Sequence, residues 1–335
     1  MFAKRFERCQ HRYGYTERLA MLYCVALACA YVAALYLLVP GSVRKLDRDH
    51  ARHIRFRCLA SVVISIAAVT SYSFFFCRAS NDDKLATFSM AEVLFQLKFS
   101  VEVLAHTIVL YTGSIVASLF GVWEEQKLSM ARKKNKKRRS YPRKVFRRLI
   151  RPTILSFLNP ITPEERWKSI RNLIIAPWTE EVVFRGCMVP VLLGSGMSPL
   201  RVTLLSPLFF GVAHAHHAMT RLAKGERVQV VLIMTIFQFI YTSLFGSYAT
   251  YAFIRTGSVM AVTLSHAYCN WMGLPDFRFV QPHHPLYYHR MTLFIAYLCG
   301  VFAFKWGFSS SWFLPYPPQL PALVGGVHLE SGIYR

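Results

Sequence analysis

Acidic side chains are few. The chain of 335 residues has 17 Asp and Glu against 40 Lys and Arg, and charged residues make up only 17% of it. A soluble domain carries about 25%, so there is too little polar surface to clothe a globule of this length. Cysteine pairs are also lacking. Cys9, Cys24, Cys29, Cys58, Cys77, Cys187, Cys269 and Cys299 include no CxxC, and most lie inside apolar runs. They read as small packing residues rather than a disulfide or zinc framework. The sequence contains no HExxH and no internal repeat.

Hydrophobic residues, by contrast, make up 54% of the chain and aromatics 15%, and they are clustered. Uncharged runs cover Leu19–Val39, Cys58–Cys77, Val103–Trp123 and Val228–Ile254, of 21, 20, 21 and 27 residues. A helix needs about 20 apolar residues to cross the hydrocarbon of a bilayer. The fold class that follows is all-α, a polytopic membrane helical bundle. The first run exceeds the core of a cleavable signal and follows a long basic segment, so it reads as a retained span.

The net charge of +23 raises the question of nucleic acid, but the charge is not spread as a binding face. Thirteen Lys and Arg fall between Lys127 and Arg151. Basic loops stay in the cytoplasm and attract anionic lipid, so this stretch reads as a topology determinant, with a nuclear-localisation or RNA-binding patch as the alternative. The loop between the first two runs adds Arg44, Lys45, Arg48, Arg52, Arg55 and Arg57 on the same side. That side then holds 19 Lys and Arg, against 8 in the N-terminal segment and the 78–102 loop. The bias places the N-terminus in the lumen and the basic loop in the cytosol.

Four regions follow: N-terminal membrane spans at 1–126, a basic cytoplasmic loop at 127–151, a membrane-helix core at 152–310, and a Pro- and Gly-rich tail at 311–335. Together they form a single membrane domain. Within the core, helical segments are expected near 155–170, 177–194, 199–222, 228–254, 257–274 and 288–307. The first is too polar to span, which gives about eight transmembrane helices in all.

The core segments carry ionisable and amide groups at membrane depth, where each charge costs roughly 2.5–3.5 kcal/mol on insertion scales. In "APWTEEVVFRG", Glu181 and Arg185 are one helical turn apart and can pair. Glu180 is rotated about 100° from Glu181, so it can face a cavity while its neighbour serves an ion pair. If a helix starts at Pro177 and Thr179, Glu180 would also sit at the positive end of its dipole. Phe210 and His214 share a face of the next segment, and His266 and Asn270 share a face of another.

A carboxylate, two imidazoles and a carboxamide could hydrolyse an amide. The carboxylate would act as general base, a histidine would orient the water, and a His–Asn pair would hold the oxyanion. Other readings use the same residues. Glu180, His214 and His266 could be the three protein ligands of a catalytic zinc. Cys187 or Cys269 could be nucleophiles, although neither has an activating context. Buried Glu and His could relay protons in a transporter. Taken singly, His214 could be a packing residue, Asn270 could glue helices together, and His216 and His217 could be interfacial.

The ordered set Glu180-Glu181-Val-Val-Phe-Arg185, Phe210-Gly-Val-Ala-His214 and His266-Ala-Tyr-Cys-Asn270 resembles the EExxxR, FxxxH and HxxxN pattern of the type II CAAX prenyl endopeptidases. These are the Ras-converting members of the glutamate-dependent intramembrane proteases. The likeness covers about 170–276; the basic stretch 127–151 has no counterpart. The resemblance implies an eight-helix fold and removal of the last three residues of prenylated CaaX proteins, such as Ras-like small GTPases. It implies Glu180 and His214 as water activators, His266 and Asn270 as oxyanion donors, Glu181 and Arg185 as a supporting pair, and Phe210 as packing beside them. It implies no metal or other cofactor, no nucleic-acid partner, and residence in the endoplasmic reticulum membrane with the site open to the cytosol. A bacterial-type relative trimming other membrane peptides is the alternative within the same group.

Overall fold

The computed structural model describes residues 10–11, 15–78, 90–134 and 162–309. Cys9, the basic stretch from residue 135 to 151 and the tail 311–335 lie outside these residues. The regular structure of the described residues is helical apart from a short antiparallel pairing of Gln10–His11 with Cys77–Arg78.

The first long helix, α1 (Glu17–Leu37), opens where Thr16 accepts the Leu19 N–H at 3.3 Å, a cap that stabilises by about 1 kcal/mol. A single turn at Gly41–Arg44 leads into α2 (Ala51–Phe76), which packs back on α1. The expected span over 103–123 is two helices, α3 (Met90–Leu110) and α4 (Thr112–Lys134), bent by 66° at Tyr111. At the bend the Thr112 hydroxyl bonds the Val109 carbonyl at 2.7 Å, and a Cβ on Gly113 would strike the Tyr297 ring. Uncharged composition conceals such a break.

From Pro163 to Gly194 the chain forms one helical run, where two separate segments were expected. It consists of α5 (Pro163–Ile170), a π turn at Arg171–Ile175, α6 (Ala176–Glu181), a second π turn at Val182–Cys187, and α7 (Met188–Gly194). Pro177 and Pro190 each follow a π turn. Proline brings no N–H and crowds the carbonyl four residues back, and a wider turn relieves both. Residues 181–193 are buried throughout. A segment buried on all sides belongs at the centre of a bundle, and α1 and α2 pack around it.

The remaining elements complete the enclosure. They are α8 (Pro199–Ala213), α9 (His216–Ala223), α10 (Val228–Thr256), α11 (Val259–Met272) and α12 (Arg290–Ser309). The segment expected over 199–222 therefore breaks at His214 and Ala215. Gly257 closes α10 in the left-handed region at φ +64°, and Ser258 then caps α11 through the Ala261 N–H at 3.2 Å. This tight reversal sets α11 against α3, α10 and the central run, while α12 packs on α3 and α4.

Among the described residues four helices are long and apolar enough to cross a membrane: Glu17–Leu37, Ala51–Phe76, Val228–Thr256 and Tyr287–Phe308. The bent pair Gln96–Leu110 and Thr112–Leu128 makes a fifth if it counts as one span. The expected count of about eight is not reached by this measure, because α8 and α11 have only 15 and 14 residues and the central run carries charge. Leu22, Ile66, Ile233, Leu244 and Phe302 are among many large apolar side chains exposed on the long helices. Such a surface suits lipid and would aggregate in water.

Candidate active site

Glu181 is the hub. It has no exposed surface, and its Oε1 accepts from Arg185 Nη1 at 3.1 Å and from His266 Nδ1 at 2.7 Å. The expected pair with Arg185 is present, and a histidine from α11 joins it. Arg185 is equally buried, and its guanidinium lies 4.6 Å from the Phe210 ring centroid, within cation–π range. Phe210 also packs edge-on to His214 at 4.6 Å and to His266 at 6.0 Å. It thus joins all three parts of the motif. A Cβ at Gly246 would lie 3.0 Å from Arg185 Nη2 and 2.8 Å from Pro207 Cβ, so only glycine lets α10 approach this closely.

Glu180 faces the other way, into a cavity of about 1340 Å³. Its Oε2 is 3.7 Å from His266 Nε2. His266 therefore stands between the two glutamates, with Nδ1 donating to the buried Glu181 and Nε2 turned toward the half-buried Glu180. Glu180 does not start a helix: the run begins at Pro163, and Thr179 bonds back to the Ile175 carbonyl at 2.8 Å instead of capping. This carboxylate therefore does not sit at the positive end of a helix dipole, as a helix start at Pro177 would have placed it.

His214 ends α8, where its Nδ1–H donates to the Phe210 carbonyl at 2.7 Å. That bond places a proton on Nδ1, and in the neutral ring Nε2 is then the acceptor. His216 is tied to the Ala213 carbonyl in the same manner at 2.6 Å, and His217 Nδ1 accepts from Arg48 Nη1 at 2.8 Å.

Asn270 is held by a partner that the sequence conceals. Its Nδ2 donates to the backbone carbonyl of Asn172 at 3.0 Å. In an α-helix that carbonyl would receive the Ala176 N–H, but across the π turn Ala176 donates to Arg171 instead. In a π-helix it would receive the N–H of residue 177, which is proline. The carbonyl is thereby released from the helix ladder and made available to the side chain.

Glu180, His214, His266 and Asn270, drawn from three separate parts of the chain, all line this one cavity. Leu244, Phe245, Leu298, Val301 and Phe304 supply an apolar wall from α10 and α12. Tyr31, Arg48, Arg57 and Arg171 also line it, and the sequence offered none of them as a site residue. Loop arginines read as topology charges, and nothing local distinguishes a buried one. Cys187 is buried in the core, and Cys269 is half-buried on α11. No group of three His, Cys, Asp or Glu side chains able to hold a metal occurs among the described residues, so the zinc reading finds no ligand set there.

A family model described as Type II CAAX prenyl endopeptidase Rce1-like matches residues 162–272, the segment that contains all seven motif residues. A CAAX prenyl protease 2 of Arabidopsis thaliana is 31% identical over 264 residues, covering 77% of this chain and 80% of that protein. The CAAX prenyl protease 2 of Homo sapiens is 43% identical over 138 residues, 41% of this chain and 40% of the relative. A probable CAAX prenyl protease 2 of Schizosaccharomyces pombe is 42% identical over 106 residues, 31% and 39% of the two chains. The matches to these last two thus span only about two fifths of the relatives' length. No solved structure matches the chain.

Proposed function

The chain belongs to the type II CAAX prenyl endopeptidase family, and from that premise we propose that it is a membrane endopeptidase that removes the C-terminal tripeptide from prenylated CaaX proteins. The observation that carries this reading is the convergence of Glu180, His214, His266 and Asn270 on one cavity that also has an apolar wall. A prenyl chain can lie along that wall while the peptide reaches the polar floor.

The chemistry follows from the donors and acceptors. Glu180, with the His214 Nε2 acceptor beside the same cavity, takes a proton from water as its oxygen attacks the carbonyl of the prenylated cysteine. The carbonyl electron pair moves onto oxygen, where Asn270 N–H and His266 Nε2–H stabilise it; losing one such donor costs about 2.7–4 kcal/mol. Collapse breaks the C–N bond, and Glu180 returns the proton to the leaving amine. The products are a prenylcysteine carboxylate and a free tripeptide.

His266 already gives its Nδ1–H to Glu181, so donation from Nε2 requires the doubly protonated ring. The reading extends to location and substrates: the endoplasmic reticulum membrane, a site reached from the cytosol as the Lys/Arg bias supports, and Ras-like small GTPases as substrates.

The test is cleavage of a farnesylated CaaX peptide by the full chain purified in detergent. Turnover of that peptide with none of its unprenylated twin is expected. Equal cleavage of both would favour a relative acting on other membrane peptides.

A further inference from the structure

Three arginines crowd one end of the cavity. Arg48 comes from the loop before α2, Arg57 from α2, and Arg171 from the first π turn of the central run. Among the described residues the carboxylate beside them is Asp49, and it is shared: Oδ2 lies 3.0 Å from Lys168 Nζ and Oδ1 lies 3.6 Å from Arg171 Nη1. Burial works against charge on Asp49, but Lys168 and Arg171 outweigh it and hold its carboxyl below the usual value. Arg48 is turned to His217, and Arg171 Nε to Asn172 Oδ1 at 2.9 Å.

Arg57 is different. It is only 8% exposed, it meets no carboxylate among the described residues, and its guanidinium stands 5.7 Å from the Tyr36 ring centroid. A buried guanidinium without a counter-charge is costly. A cluster with a surplus of positive charge, facing a cavity, is complementary to an anion.

Two rulers fix its distance from Glu180. Asp49 meets Lys168 and Arg171, Arg55 lies 5.3 Å from the Trp167 ring, and Ser65 Oγ reaches the Thr179 carbonyl at 3.4 Å. The start of α2 therefore matches the start of the central run, and the two travel side by side in one direction. Arg57 precedes Ser65 by eight residues and Arg171 precedes Glu180 by nine. At 1.5 Å per residue both offsets are about 12–14 Å. Three extended residues span about 10 Å, and an arginine side chain reaches across the remainder.

We propose that Arg57, flanked by Arg171 and Arg48, binds the α-carboxylate at the substrate's C-terminus, so that the enzyme cuts three residues from the end. This rests on the endopeptidase reading above. It adds a recognition element that the catalytic residues do not supply: the site measures inward from a charge. A guanidinium pairs with a carboxylate through two parallel N–H donors, and a C-terminal amide offers neither the charge nor the second acceptor oxygen.

The experiment compares two farnesylated peptides of one sequence, ending in a free carboxylate or in a carboxamide, with wild-type full-length protein and with Arg57→Gln. Wild type is expected to show kcat/KM at least tenfold higher for the acid, carried mostly by KM. In Arg57→Gln the acid-to-amide ratio should fall to near one, and Arg57→Lys should restore part of it. Equal use of both peptides by wild type overturns the subsite while leaving the endopeptidase reading intact, and this arm needs no variant to fold. A ratio unchanged in a folded Arg57→Gln overturns it also. No cleavage of either peptide by wild type overturns the function itself and the subsite with it.

Discussion

The backbone carbonyl of Asn172 lies 3.0 Å from the Asn270 side-chain nitrogen because Pro177 withholds the N–H that would otherwise claim it. A helix irregularity in one element thus orients a carboxamide on another. π turns of this kind are rare and recur at functional sites.

Pro177→Ala restores a backbone donor next to that carbonyl. Competition for it should swing Asn270 away from the scissile bond, lowering kcat on a farnesylated peptide by about tenfold to a hundredfold with KM little changed. Thermal stability in detergent should not fall, since alanine favours the helix. An unchanged kcat would show that the carbonyl does not position Asn270.

The two glutamates should separate by assay. Glu181→Gln leaves Arg185 buried without its anion, so a loss of about 3–5 kcal/mol is expected, visible as poor folding yield and a lowered melting temperature. Glu180→Gln alters a side chain that faces the cavity and should melt like wild type while losing turnover. If Glu181→Gln folds well and is inactive, the residue takes part in the chemistry directly.

Gly246→Ala tests the packing behind the ion pair. The added methyl falls 2.8 Å from Pro207 Cβ and 3.0 Å from Arg185 Nη2. Overpacking costs about 1–3 kcal/mol, more than the roughly 1 kcal/mol of helix propensity that alanine brings. A lower melting temperature and reduced rate are expected; a stabilised variant would mean that α10 shifts freely.

Much of the candidate site's arrangement was readable because it is local. Glu181 and Arg185, Phe210 and His214, and His266 and Asn270 are each one turn apart, and a helix sets such pairs on one face. The all-α membrane class was equally plain from the uncharged runs. What escaped the sequence depends on backbone geometry or on distant packing. The Asn172 carbonyl has no side-chain signature, and the 66° bend at Tyr111 hides within an uncharged run. Burial of Arg57 follows from how α2 meets the central run, so a loop count of basic residues cannot show it. The helix start inferred at Pro177 failed because proline there follows a π turn instead of opening a helix.

The most direct measurement is tripeptide release from a farnesylated CaaX peptide by wild type and Glu180→Gln, both folded in detergent and both dialysed against a chelator. Wild type is expected to retain its full rate and Glu180→Gln to show none. Turnover by Glu180→Gln near the wild-type rate, or loss of wild-type activity that Zn²⁺ restores, would contradict a mechanism in which this carboxylate activates the water.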